Sequence, residues 1–110
     1  MNATERLQGI LQSHSLIVFM RGTPDKPMCQ GSFDVVEALG SVGADYLHLD
    51  LRQDPEVRAF LPKQSDWGGV PQVFLNGEFL GGAEVVCDLL QQGELQAMVS
   101  NLQPEFLAAS

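Results

Sequence analysis

The pair Asn76-Gly77, set between Val73-Phe74-Leu75 and Glu78-Phe79-Leu80, constrains the fold of this chain more than any other local feature. Asn-Gly suits the type I′ turn of a two-residue hairpin, in which both central residues take positive φ. Two antiparallel strands are therefore expected there, late in a chain of 110 residues, and a hairpin needs further partners before it is stable in water.

Those partners are legible upstream. Ser15 to Met20 is a continuous apolar run containing β-branched Ile17 and Val18, which reads as a buried strand. Tyr46 to Leu51 alternates, with Leu47, Leu49 and Leu51 on one side and Tyr46, His48 and Asp50 on the other, as a half-buried strand does. Between them, from Ser32 onward, Phe33, Val36 and Leu39, with Val35 and Ala38 beside them, form a helical stripe that Gly40 and Gly43 end. Asn2 caps a first helix carrying Leu7, Ile10 and Leu11, with Glu5 three residues after the cap. Asp54-Pro55-Glu56 opens another helix, which Pro62 is expected to limit. After the hairpin, Gly81-Gly82 breaks the pattern. Val85, Val86, Leu89 and Leu90 then mark a helix ending near Gly93, and Leu95, Met98, Val99 and Leu102 a last helical piece. The tail after Pro104 is expected to fray.

The order α, β-α-β, α, β-hairpin, α predicts two parallel strands joined by a right-handed crossover, with the hairpin added antiparallel to the same sheet. That is an α/β thioredoxin fold, a four-stranded mixed sheet flanked by helices. At 45% hydrophobic residues the chain holds one modest core, so residues 1–110 read as a single domain.

Fourteen acidic residues against six Lys and Arg give a net charge of −8, which repels phosphate backbones and anionic lipid and makes nucleic acid and membranes poor partners. The apolar run Leu16–Met20 is far shorter than the ~20 residues of a membrane span. The N-terminal region lacks the basic, apolar and small-residue order of a secretory signal. Two cysteines, Cys29 and Cys87, are too few for a disulfide framework, so a reducing, cytoplasmic compartment is expected, or an organelle matrix if a transit peptide has been removed. With His14 and His48 they show no zinc-ligand spacing.

Cys29 follows a strand and the turn-rich segment Arg21 to Pro27, and stands at or just before a helix N-terminus. Free N–H groups and the positive end of the helix dipole favour a thiolate there, the form that attacks disulfides and binds metals. The following residues, Gln30-Gly31-Ser32, end in serine, so no second cysteine completes a dithiol. Chemistry at Cys29 must involve an outside thiol, such as glutathione, or a metal centre that accepts one thiolate. Cys87, among Val85, Val86 and Leu90, reads as a packed helical thiol.

The segments Phe19-Met20-Arg21-Gly22-Thr23-Pro24, Pro27-Met28-Cys29, Ser65-Asp66-Trp67, Val70-Pro71-Gln72, Asn76-Gly77-Glu78-Phe79 and Leu80-Gly81-Gly82, with Gln92-Gly93-Glu94-Leu95, occur in an order and spacing that resembles the monothiol glutaredoxins, the family with a Cys-Gly-Phe-Ser motif. The resemblance implies that Cys29, with a glutathione thiolate, ligates a [2Fe-2S] cluster shared between two chains, for transfer to apo iron-sulfur proteins. It implies a homodimer through the shared cluster, or a BolA-like partner. It assigns Arg21 and Arg58 to glutathione carboxylates and Val70, before a cis proline, to backbone pairing with the cysteinyl part. Ala83 and Glu84 open the helix that takes the γ-glutamyl end. Other readings are a glutathione-dependent thiol oxidoreductase acting through Cys29 on mixed disulfides, with weak activity, and a redox-inactive interaction module.

Three pairs of residues depart from the family. Gly-Phe is Gln30-Gly31, Pro-Thr after the tryptophan is Gly68-Gly69, and Cys-Asp is Ala83-Glu84. Gly31 is expected to loosen the first helical turn and remove apolar cover, so a cluster is expected to decay faster than with Gly-Phe. On this reading, Gln30→Gly with Gly31→Phe prolongs its lifetime.

Overall fold

A computed structural model describes residues 2–102; the tail after Pro104, expected to fray, lies outside them. The central strand is β1 (Leu16–Met20), buried at all five positions. It pairs in parallel with β4 (Leu47–Asp50) and antiparallel with β5 (Gln72–Leu75), and β5 pairs with β6 (Glu78–Gly81), giving the order β4-β1-β5-β6. Asn76 and Gly77 have φ of 52° and 84°, as the type I′ turn requires, and Leu75 faces Glu78 across it. The expected four-stranded mixed sheet is present.

Because side chains alternate along a strand, β1 divides the core in two. Leu16, Val18 and Met20 pack with Val35 and Leu39 of α2 (Gln30–Ser41), Val86 of α4 (Ala83–Gln91) and Leu95 of α5 (Glu94–Ser100). Ile17 and Phe19 pack on the other face with Leu7 and Leu11 of α1 (Ala3–Ser13) and Val57 and Leu61 of α3 (Pro55–Ser65). Phe19 meets Phe74 edge-on at 5.5 Å there. Leu47, Leu49 and Leu51 join this second face, as their alternation predicted.

The helix ends follow the local chemistry. Asn2 Oδ1 accepts from Glu5 N–H at 2.8 Å and Asp54 Oδ1 from Val57 N–H at 3.2 Å, the two expected caps. Gly43, at φ 68°, closes α2, with its N–H on the Gly40 carbonyl and that of Ala44 on the Leu39 carbonyl. Two expectations are modified. Pro62 removes one helical hydrogen bond, yet α3 runs on to Ser65 because Val57 and Leu61 anchor that face in the core. The turn-rich segment before Cys29 folds as a small ribbon of β2 (Gly22–Thr23) on β3 (Lys26–Pro27).

Among the described residues, no helix is long and apolar enough to cross a membrane. Arg6 of α1 pairs with Asp54 and Glu56 at the start of α3, and Arg52 pairs with Asp50 at 2.8 Å. The Arg6 guanidinium holds the Asp54 carboxyl below the usual carboxylate range, and Arg52 does the same for Asp50, which also accepts the Gly22 N–H. A carboxyl depressed in the folded state binds fewer protons than in the unfolded chain, where it titrates near about 4. Its contribution is full above that pH and lost as pH falls through the folded value. Asp54→Asn keeps a capping oxygen and removes the charge. Urea titrations at pH 7 and pH 3 should therefore show a smaller acid loss of stability in this variant than in the native chain; equal losses would exclude Asp54 as a contributor.

Candidate functional site

Cys29 is the N-cap of α2, with extended backbone at φ −150° and ψ 161°, and its side chain makes no capping hydrogen bond. The helix begins at Gln30, two residues before the first residue of the expected stripe, so the sulfur stands directly at the helix start. The ribbon before it is tied down on both sides. Met28 N–H donates to the Arg21 carbonyl at 2.9 Å, and Asp50 holds the Gly22 N–H. At Gly22, φ 88°, an added Cβ would lie 2.3 Å from the Lys26 carbonyl oxygen, which excludes any side chain.

Ser32 is fully buried and organises the sulfur. Its Oγ accepts the Arg21 N–H at 3.0 Å and the Cys29 thiol at 3.1 Å. When the sulfur is ionised, the hydroxyl hydrogen is available to it while the Arg21 N–H still occupies the oxygen. Sequence reading saw Ser32 only as the missing second cysteine. Its place three residues after Cys29, on the same side of the first turn, is the signal that could have revealed this role.

The start of α2 meets two other elements. A Cβ on Gly31 would lie 2.8 Å from Pro71 Cδ and 3.6 Å from Ala83 Cβ. The helix opened by Cys29, the cis Val70-Pro71 peptide and the start of α4 therefore converge. Gly31 is in close contact with Pro71, at the position where the family carries phenylalanine. Gly31→Phe would require the Pro71 ring or the helix start to shift.

Arg21 is exposed, and among the described residues its guanidinium has no hydrogen bond or ion pair, unlike those of Arg6 and Arg52. Arg58 reaches only the Gly68 carbonyl, at 3.5 Å, in the loop before Val70. Ala83 and Glu84 open α4 behind the N-cap Gly82, which has no side chain to cap the helix. Glu84, Trp67, Phe79 and Val85 line a cavity of 460 Å³ beside that helix start. Among the described residues, Trp67, Val85, Met28 and Phe33 are the large apolar side chains most open to solvent. The buried Gln72, which sequence reading treated only as part of a motif, donates from Nε2 to the carbonyls of Trp67 at 2.7 Å and Gly69 at 3.0 Å. Cys87 is half-buried on α4, and burial pushes its thiol pKa up, with Asp34 and Asp88 adding to the effect, as suits a packed thiol. Among the described residues, no group of three or more His, Cys, Asp and Glu side chains could hold a metal ion by itself.

The packing at Gly31 gives a direct test. Alanine in a helix interior is ordinarily favoured over glycine by about 0.8–1 kcal/mol. Gly40→Ala, in the same helix with open space around it, should gain stability by up to about that amount. Gly31→Ala should instead lose about 1 kcal/mol or more through overpacking against Pro71. A gain at both positions in urea denaturation would mean that Gly31 is not in close contact.

The Glutaredoxin family model matches residues 16–80. The chain is 35% identical over 96 residues to Glutaredoxin 4 of Buchnera aphidicola subsp. Baizongia pistaciae, covering 87% of this chain and 89% of that one. It is 34% identical to an uncharacterized monothiol glutaredoxin of Porphyra purpurea, covering 87% and 90%. A buckwheat glutaredoxin solved as a glutathione complex superimposes with a TM-score of 0.77 at 26% identity, covering 89% and 87%. With one helix-capping cysteine, a serine in place of a second and this sheet order, the chain belongs to the glutaredoxin family, among its monothiol members.

Proposed function

We propose that the chain binds and transfers a [2Fe-2S] cluster, using Cys29 and a bound glutathione as ligands, within residues 1–110 acting as one domain. The observation that carries the reading is the lone thiol at the helix start, hydrogen-bonded to the buried Ser32 where a dithiol protein would place its second sulfur. Clusters of this class are held by four thiolates. One protein sulfur and one glutathione sulfur from each of two chains make up that number, which is why a shared cluster implies a homodimer. A BolA-like protein is the alternative partner, and apo iron-sulfur proteins are the recipients. A reducing cytoplasm or organelle matrix would keep both thiols available.

Each binding residue has a role matched to glutathione chemistry. The Val70 backbone offers edge-strand hydrogen bonds to the cysteinyl unit, next to the start of α2. The free N–H groups at the start of α4, at Ala83 and Glu84, suit the γ-glutamyl carboxylate, and the Glu84 carboxylate suits its ammonium group. Arg21 and Arg58, neither paired with a carboxylate among the described residues, suit the glycine carboxylate. The buckwheat relative, solved as a glutathione complex, supports glutathione as the ligand class. Within it Ser32 steadies the Cys29 sulfur through a hydrogen bond, whichever partner the sulfur takes.

The test is reconstitution with iron, sulfide and glutathione without oxygen. The native chain and Cys87→Ser should turn reddish-brown with visible absorption, and Cys29→Ser should stay colourless while keeping its fold. Removing Arg21 or Arg58 by alanine substitution should weaken glutathione about tenfold in titration calorimetry, the scale of one charge-assisted hydrogen bond. A cluster that survives in Cys29→Ser would remove that residue as ligand. A colourless native protein that reduces glutathionylated substrates would instead favour the oxidoreductase reading.

A further inference from the structure

Trp67 is the chain's single tryptophan, and its surroundings are unusually specific for an indole 42% exposed to solvent. A Cβ on Gly69 would lie 2.3 Å from its Cζ2 and Cη2 atoms, and a Cβ on Gly82 would lie 2.7 Å from Cη2. The ring is thus seated against two glycine backbones, one in its own loop and one at the cap of α4. Phe79 stacks with it at 5.8 Å and 30°. What remains open is the side facing the 460 Å³ cavity that Trp67 shares with Glu84 and Val85.

The loop that carries the ring contains Gly68 and Gly69, and two glycines in succession are entropically costly to order. The fold orders them with buried groups. Gln72, fully buried in β5, places both bonds of its Nε2 on the Trp67 and Gly69 carbonyls, while its Oε1 has no partner. Ser65 adds a bond from its Oγ to the Trp67 carbonyl at 3.0 Å and accepts the Trp67 N–H at 3.3 Å. An aromatic side chain whose backbone is pinned at both polar groups, and whose free side looks into a cavity beside a helix start, is preorganised for a ligand.

We propose that Trp67 is a ligand-contacting wall of the cleft at the α4 end, packing on the methylene chain of a γ-glutamyl thiol, and that Gln72 is the positioning residue that holds it there. The proposal rests on the glutathione reading above. Glutathione brings two methylenes between its cysteinyl unit and its γ-glutamyl charges, and an indole next to Gly82 meets that stretch when the charges sit at the start of α4. Gly69 is then required because any side chain there would displace the ring.

The experiment uses the full chain, reduced glutathione as the probe, and the single tryptophan as the reporter. On saturation with glutathione, acrylamide quenching of Trp67 should fall and its emission should shift. Trp67→Leu should weaken glutathione about fivefold in calorimetry, the size of one aromatic contact, and Trp67→Phe should restore about half of the loss on a logarithmic scale. Gln72→Met should raise quenching in the absence of glutathione and weaken its binding. The double variant should bind no more weakly than Trp67→Leu alone, because Gln72 acts through the ring. Native binding with unchanged emission and quenching, equal affinity in Trp67→Leu, or additive losses in the double variant would each overturn the wall while leaving the glutathione reading in place. No detectable glutathione binding by the native chain would overturn that reading and the wall together.

Discussion

The structure depends on the burial of β1 from both sides. A strand with no solvent-facing residue must satisfy every peptide group through its neighbours, since an orphaned buried N–H or carbonyl costs about as much as a lost hydrogen bond. β4 and β5 supply that pairing, one parallel and one antiparallel, and so fix the sheet around β1. The chain leaves the carboxyl end of β1 at Met20 beside the end of β4. There Leu51 N–H bonds the Met20 carbonyl at 2.8 Å, and Asp50 reaches back to Gly22. The position of Cys29 follows from this junction, because the ribbon that leads to it is anchored at its first residues.

Features governed by short-range chemistry were legible in the sequence. The Asn76-Gly77 turn, the Asn2 and Asp54 caps and the Gly43 stop each depend on residues within a few positions of one another, and each stands where the pattern placed it. The alternation of Leu47, Leu49 and Leu51 was equally readable because a strand's period reports which face is covered. Pro62 was misjudged for the opposite reason. Its local effect is to break a helix, and what overrides it is the packing of Val57 and Leu61 against a strand far away in sequence.

The candidate site divides in the same way. Cys29 at a helix start could be read from the turn residues before it and the apolar stripe after it. Gly31 could not be read correctly, because its meaning lies in Pro71, which approaches it from forty residues further along the chain. Propensity alone makes a glycine in a first turn a weakness, whereas the close approach of a proline ring means that a side chain there would need the ring or the helix start to shift. Ser32 and Gln72 were hidden similarly. Each is an ordinary polar residue by composition and a fully buried organiser of backbone groups in the fold. Where three elements converge, the identity of a residue is set by what it must not touch as much as by what it bonds.

The two sulfurs of this chain differ in a way that bears on oxidative injury. Burial, with the carboxylates of Asp34 and Asp88 adding to it, raises the Cys87 thiol pKa and so disfavours the thiolate, the form that reacts with peroxide and electrophiles. At the head of α2 the neighbour of the Cys29 sulfur one turn along is a hydroxyl, which cannot condense with a sulfenic acid. The motif Cys29-Gln30-Gly31-Ser32 holds no resolving thiol of its own. A sulfenic acid formed there would need a thiol from outside the motif to resolve it.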